Sequence, residues 1–384
     1  MTFFNFMIGG LAAAGWYVIP FVVILSVVVF FHELGHYLVG RWCGVKIEAF
    51  SLGFGPELFA RIDKHGTRWR IAALPLGGYV RFHGDANATS APDVQALAQM
   101  PQSERRQTLA GQPLINRAAI VAAGPIANFL LAIVIFTGTF AISGQFTLAP
   151  RVGGLEAGSP AEIAGFMPGD LVLTINGEKV DSFEDLHQAV TNNAGLKMSF
   201  EVDRAGQIVT LEATPTIGLV DLGPFGKRRV SRLGVKSSVD PADRRFETCS
   251  LPTCVVWSVR ETWSVVEGTG AYIVGLLAGR QSVDQISGPV GVAQVAGEVA
   301  KIHIFALIGL TALFSVSVGL MNLLPIPMLD GGHLLFYAIE AVRGRPLSER
   351  TQEIGLRVGI AIVAMIVIFS VSNDLFRHVL ASPG

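Results

Sequence analysis

The segment His32-Glu33-Leu34-Gly35-His36 sets two imidazoles four residues apart with a carboxylate beside them. On a helix His32 and His36 stand one turn apart on one face, the spacing at which two ring nitrogens reach one zinc ion. Glu33 then projects alongside as the base for a water that the metal activates. The same residues also read as a helix end where His and Glu emerge into water. A catalytic zinc takes three protein ligands and keeps one position open. Glu48 and Glu57, the next acids, fall in a stretch patterned as sheet. A remote run, NLLPIPMLDGGH at 322–333, offers Asp330 and His333. Asp330, in a Gly-flanked turn, has the freer access of the two. Asn322 could donate a hydrogen bond to a peptide carbonyl or an oxyanion, or serve as a helix-packing amide.

The elements that must position these residues are membrane spans. Of 384 residues 51% are apolar and 15% charged, against roughly 25% charged in a soluble domain. Residues 1 to 32 carry no Asp, Glu, Lys or Arg, and Trp16 to Val39 is long enough to cross a hydrocarbon core of about 30 Å. The basic start and small-residue cleavage site of a signal peptide are missing, so this predicts a retained span at about 16–40. Three more spans are predicted at about 118–142, 302–329 and 356–373, with Arg357 snorkelling at the edge of the last. Helices buried in a large soluble protein are the alternative. His32 lies 16 residues beyond Trp16, about 24 Å along a helix. Asp330 follows a span crossing in the same direction, so both approach one depth. Pro325 and Pro327 would break the third span and free backbone groups, which a membrane tolerates only where chain lines a protein-enclosed cavity.

Charge sets direction. Residues 1–40 hold no Lys or Arg, 41–117 hold ten, and Arg343, Arg345, Arg350 and Arg357 form a second basic turn. Basic loops stay in the cytoplasm, so the N-terminus and the long segment between spans two and three are expected outside. The overall balance of 29 basic to 30 acidic residues, net −1, leaves no positive field to hold nucleic acid.

The connecting segments differ in kind. Residues 45–82 alternate and turn like a sheet, punctuated by Gly53, Gly55, Pro56, Gly77 and Gly78, which predicts a β-hairpin against the membrane. Residues 83–113 are polar and weakly patterned, and read as a flexible cytoplasmic excursion. Residues 143–236 read as an α+β domain, with strands at 171–175, 198–202 and 208–213 and helices at 160–165 and 183–192. Asn176-Gly177 marks a tight hairpin turn. Residues 237–300 read as an interfacial amphipathic segment, in which 250–280, with Trp257, Trp263 and Tyr272 among charges, suits an interfacial helix. Three cysteines are too few for a disulfide framework or a four-thiolate zinc site; one pair, Cys249 with Cys254, is available.

At these residues the chain resembles a known family. HELGH, the GFGP and LPLGGYV segments, GPIAN at 124–128, the phrase AGSPAEIAGFMPGDLVLTINGEKV, QISGPVGVA at 285–293 and NLLPIPMLDGGH together resemble the bacterial RseP-type site-2 proteases, intramembrane zinc metallopeptidases. The resemblance runs over nearly the whole chain. It implies a polytopic α-helical membrane protein of the bacterial inner membrane, with four transmembrane helices, a membrane-associated β-hairpin and an inserted extracytoplasmic PDZ domain. It implies zinc bound by His32, His36 and Asp330, with Glu33 as catalytic acid and base. Asn322, Gly53, Phe54, Gly55, Pro325 and Pro327 are implied to hold substrate, the hairpin offering an edge to an unwound helix. The substrates implied are single-span membrane proteins such as anti-sigma factors or remnant signal peptides. The PDZ domain would bind an extended peptide or substrate segment and admit clipped substrates only. Several members carry two tandem PDZ domains; this chain has room and signals for one. Two other classes stay open at this point. A membrane scaffold with a structural zinc would not need Glu33, and a peptidase of another HExxH clan would take its third ligand from a downstream Glu.

Overall fold

The computed structural model describes residues 2–85, 97, 99–221, 227–278 and 288–381. These divide into two compact units, 1–135 with 288–374 and 136–287 with 375–384.

The first unit begins with helix α1 (Thr2–Trp42). Gly44, at φ +81, ends it: the Gly44 N–H bonds to Arg41 O and the Val45 N–H to Gly40 O, the paired bonds of a Schellman stop. The chain thus leaves the helix six residues after His36 and enters the hairpin of β1 (Ile47–Ile62) and β2 (Arg68–Phe82). Both strands are too long to stay flat. Residues 49–52 pair with 78–81 on one side and with 68–71 on the other, while 57–62 pair with 68–72. The hairpin is therefore folded over itself, in the order 57–62, 68–72, 49–52, 78–82. Gly53 (φ +85), Gly55 (φ +87) and Gly77 (φ +127) make the corners, in a backbone region that side chains disfavour. One face of this sheet packs Ile47, Phe50, Val80 and Phe82 on Tyr37, Leu109 and Ile120. Phe54, Leu58, Phe59, Ile62, Ile71, Leu74 and Leu76, in the outer part of the hairpin, are exposed.

Residues 83–113 depart from expectation. Residues 86–96 and 98 lie outside the described residues, but 99–113, largely exposed, is tied down at a few points. His83 lies 2.9 Å from Glu48 and 3.1 Å from Glu104 of the short α2 (Gln102–Arg105). Thr108 and Leu109 are buried. The weak periodicity that suggested flexibility reflects a segment held by an ion-pair cluster and one anchoring leucine. α3 (Leu114–Ser143) follows, with Pro125 inside it.

The second unit contains β3 (Gln145–Leu148), β4 (Val152–Leu155), α4 (Pro160–Ile163), β5 (Leu171–Ile175), β6 (Glu178–Lys179), α5 (Phe183–Asn192), β7 (Met198–Arg204) and β8 (Gln207–Ala213). Then come β9 (Thr216–Asp221), β10 (Lys227–Arg232), β11 (Val235–Ser237), β12 (Arg244–Glu247) and α6 (Leu251–Leu277). The central sheet has the order β6-β5-β7-β8, and β10-β9, β11-β4 and β12-β3 pair beside it. Ser159 caps α4 and Ser182 with Asp185 forms a capping box on α5. Asn176 and Gly177 both have positive φ, as the expected tight turn requires. Phe166, Val172, Met198, Phe200 and Val202 fill the core. Asp170, 1% exposed, receives both donors of a fork from Arg204. Cys249 and Cys254 are joined as a disulfide, and Cys43 is free.

The chain returns to the first unit with α7 (Pro289–Ile302), α8 (Ile304–Asn322), α9 (Asp330–Arg343) and α10 (Glu349–Ala381). The segment expected at 237–300 as one interfacial piece is thus divided. Its strand β12 and helix α6 belong to the second unit, whereas α7 packs on α1, where Gly297 meets Tyr17. Asp374 of α10 is buried and accepts from the N–H groups of Gly288 and Gly291, capping α7. Residues 285–287 of the QISGPVGVA segment lie outside the described residues. Among the described residues four helices are long and apolar enough to cross a membrane: 15–42, 114–143, 304–322 and 350–374. The third is shorter than the expected 302–329. It stops at Asn322 because Pro325 and Pro327 cannot donate to a helical ladder, and Met328 takes φ +124 before α9 starts at Asp330.

Asp63 ties the hairpin turn to α1. Its carboxylate accepts from Tyr37 Oη (3.1 Å), Trp69 Nε1 (3.0 Å) and the N–H groups of His65 and Thr67. Burial alone would raise its pKa; these four donors outweigh that and hold it at about 2. Because the folded value lies below the unfolded one, the bonds are at full strength above about pH 4 and are lost as pH falls toward 2. Hydrogen exchange at the Thr67 amide is expected to stay slow from neutral pH down to about 4 in the wild type and to accelerate at neutral pH in Asp63→Ala. Slow exchange in the variant would refute the tie.

Candidate metal centre

Two spans and one helix start bring three donor residues together. His32 Nε2 and His36 Nε2 are 3.2 Å apart, and Asp330 Oδ2 lies 3.1 Å from the first and 3.5 Å from the second. Asp330 Oδ2 is buried and makes no hydrogen bond despite these short distances. The three atoms therefore converge on one small region, where the two imidazole nitrogens also meet each other and the carboxylate oxygen is left without a partner. A tetrahedral zinc with bonds of about 2.0–2.1 Å sets its ligand atoms about 3.3 Å apart, which matches all three separations. Among the described residues this is the one group of His, Cys, Asp and Glu able to hold a metal ion. On the chemistry of its donors and the orphaned carboxylate oxygen, the site fits zinc.

Each donor is placed by a close backbone approach. A side chain at Gly35 would strike the Ala123 carbonyl, so α1 and α3 touch there, as small residues allow between apolar helices. One residue on, a Cβ at Gly124 would run into His36 and come within 2.9 Å of His32 Cε1. The two imidazoles, set edge to face, stand against a helix face that only glycine leaves open. His36 Nδ1 donates to Ile120 O of α3 at 2.8 Å, leaving Nε2 for the metal. Gly331 and Gly332 pack on the carbonyls of Leu323, Leu324 and Ile326, which lets α9 begin against the proline turn. Asp330 is thus the first residue of a helix, where the sequence suggested an isolated turn. Arg117 of α3 then grips Glu340 of α9 with two hydrogen bonds and lies 5.0 Å over Tyr337, fixing α9 along its length.

Beside the donors is a cavity of about 220 Å³. Glu33 lines it with Asn322 and His333, and so do Gly78, Tyr79, Val80 and Phe82 of β2. Gly78 is required here, since a Cβ would sit 2.7 Å from Ser51 O and 3.2 Å from Glu33 Cγ. The edge of the sheet facing the site is therefore 78–82. Gly53, Phe54 and Gly55 stand behind it: Phe54 stacks on Tyr79 with ring centroids 6.1 Å apart, and none of the three lines the cavity. Pro325 and Pro327 also lie outside the lining and shape the turn that leads from Asn322 to Asp330. Leu109, Ile120 and Tyr337 line the cavity without having been singled out from the sequence. For α3 a signal did exist, a proline and an asparagine inside an otherwise apolar span.

The same chain carries a family signature. The model of peptidase family M50 matches residues 20–366. The chain belongs to peptidase family M50. Over 369 residues it is 47% identical to the "Putative zinc metalloprotease Atu1380" of Agrobacterium fabrum, covering 95% of this chain and 98% of that one. Over 377 residues it is 41% identical to the metalloprotease MmpA of Caulobacter vibrioides, covering 92% and 94%. The PDZ domain of an SdrC-like protein of Listeria monocytogenes aligns with 23% of this chain and 84% of its own length, at 16% identity and a TM-score of 0.18. The M50 peptidase is a zinc metalloprotease.

For this M50 peptidase the glycine on α3 gives a direct check. Gly124→Ala puts a methyl group into the His36 ring, so zinc bound per purified chain is expected to fall at least tenfold, in line with disturbed support of metal ligands. Full zinc content by elemental analysis in that variant would count against the packing account.

Proposed function

We propose that this zinc metalloprotease cleaves the transmembrane segments of single-span membrane proteins, in the manner of regulated intramembrane proteolysis. The observation that carries the reading is depth. His32, Glu33 and His36 lie inside the apolar helix 15–42, with His32 ten residues, about 15 Å, from its end. Ionisable groups placed there are costly and serve a scissile bond that is itself within the bilayer.

Zinc held by His32, His36 and Asp330 supplies Lewis acidity, lowering the pKa of water and polarising a peptide carbonyl. Glu33 takes a proton from the attacking water and passes it to the leaving amine. A substrate helix has its carbonyls locked in its own ladder and must unwind first. The outer edge at 78–82, where the Val80 N–H bonds to Glu33 and the Phe82 N–H to Asp85, then offers its remaining backbone groups for strand pairing, and Asn322 donates to a carbonyl of the unwound segment. Phe54, stacked on Tyr79, holds that edge in place, with Gly53 and Gly55 making the corner. Pro325 and Pro327 aim Asn322. Anti-sigma factors and remnant signal peptides, the substrates implied by the resemblance, are single-span proteins of this kind.

The proposed orientation puts the N-terminus and the second unit outside and the basic loops in the cytoplasm of a bacterium, with the protein in its inner membrane. The Cys249–Cys254 disulfide supports it, since disulfides persist in oxidising compartments. The second unit, an α+β fold with a four-stranded sheet, is proposed to act as a PDZ domain binding an extended peptide. The exposed apolar residues Val255, Val256, Val259 and Trp263 of α6 suit a helix lying in the membrane surface.

Two measurements test these assignments. Glu33→Gln should retain zinc yet cleave a model single-span substrate about 10²–10⁴-fold more slowly; cleavage at the wild-type rate would refute the assignment of the base. In intact cells a membrane-impermeant maleimide should label Cys249 and Cys254 only after reduction, and Cys43 only after permeabilisation. The reverse pattern would invert the topology.

A further inference from the structure

His36 has its Nδ1 fixed by a carbonyl, which can only accept, but His32 faces a group that can do either. Its Nδ1 lies 3.3 Å from the side-chain amide nitrogen of Asn128 on α3, 96 residues away. Asn128 is fully buried, and its other terminal atom, Oδ1, has no hydrogen-bond partner. Its position is not free to drift. Ser315 of α8 donates to its backbone carbonyl at 2.7 Å, and Gly319 leaves room for its Cβ.

The two ends of the amide specify different tautomers of His32. With the amide nitrogen toward Nδ1, that nitrogen must accept, so the ring proton sits on Nε2, which lies 3.2 Å from His36 Nε2 and 3.1 Å from Asp330 Oδ2. That tautomer has no lone pair on Nε2 to give a metal. A half-turn of the amide exchanges its oxygen and nitrogen within nearly the same volume. Oδ1 then accepts from Nδ1–H, Nε2 presents its lone pair to the shared point, and the orphaned oxygen gains its partner.

We infer that Asn128 is a positioning residue for the metal: its carboxamide oxygen holds His32 in the tautomer that binds zinc. Both histidines then take their orientation from one helix, α3, through Ile120 O and Asn128 Oδ1. The inference rests on the assignment of His32 as a ligand.

The test is zinc affinity, measured by chelator competition on the full-length purified protein, with no substrate present. Asn128→Leu keeps the shape and removes the acceptor, so its dissociation constant is expected to rise about 10–100-fold. Asn128→Asp restores an acceptor at the same place and is expected to stay within about threefold of the wild type, a rescue that a merely packing role would not give. Wild-type affinity in Asn128→Leu, or equal weakening in both variants, overturns the inference. His32→Ala is the control beneath it: zinc retained at wild-type affinity in that variant overturns the ligand assignment and this inference with it. Zinc lost in His32→Ala but kept in Asn128→Leu overturns the inference alone.

Discussion

Everything at the centre depends on how closely α1 can approach α3. Helices carrying ordinary side chains keep their axes 8–10 Å apart, and at that distance two imidazoles on α1 would point into a wall of side chains. Gly35 against the Ala123 carbonyl, and Gly124 beneath the rings of His32 and His36, remove the wall. Between apolar helices in lipid little hydrophobic force draws one surface to another, so contact of small residues and a few interhelical hydrogen bonds must hold them. Here the two are combined, because the groups that bond across the contact, Ile120 O and the amide of Asn128, are the same groups that orient the histidines.

The third donor reaches the site by a different route. Asp330 comes from a helix that starts where another has been stopped, and the stop depends on prolines while the restart depends on glycines. Pro325 and Pro327 end the ladder of α8, Met328 absorbs the turn at positive φ, and Gly331 and Gly332 allow the new helix to nest on freed carbonyls. Those carbonyls follow directly on the apolar helix 304–322, and irregular backbone next to a membrane span survives only if protein encloses it. The close contact of Gly359 on α10 with Pro327 supplies part of that enclosure. The proline run therefore sets the direction and depth of Asp330 without itself facing the cavity.

Much of this was legible in the sequence, for identifiable reasons. The four-residue spacing of His32 and His36 is a property of one helix, and the matching depth of Asp330 follows from counting rises along two parallel spans; both are local arithmetic. The tight turn at Asn176-Gly177 and the helix at 183–192 were readable for the same reason. What sequence reading missed was long-range. Which stretch of the folded hairpin faces the site depends on a doubled-back pairing of 49–52 with both 68–71 and 78–81, and alternation along a strand carries no record of it. The anchoring of 99–113 rests on His83 meeting Glu48 and Glu104, partners 35 and 21 residues away. The role of Asn128 needs two helices 96 residues apart in the chain to be in contact before it can be seen.

The charges within the spans sharpen the case for the metal. Arg117 is matched by Glu340, and Asp374 by the N–H groups of Gly288 and Gly291 at the start of α7. Each of these groups has a partner that answers its charge or its lone pairs, as burial in an apolar medium demands. The cluster of His32, His36, Glu33 and Asp330 is different. It gathers two carboxylates beside two imidazoles, with one buried carboxylate oxygen satisfied by nothing in the chain. Helices do not come together around such a set for the stability of the bare protein. A divalent cation changes the balance, because its charge answers the carboxylates and its coordination takes up the lone pairs that are otherwise stranded. Metal binding at this depth is therefore also folding free energy, and the glycines that let α1 and α3 approach contribute to stability chiefly when the site they build is loaded.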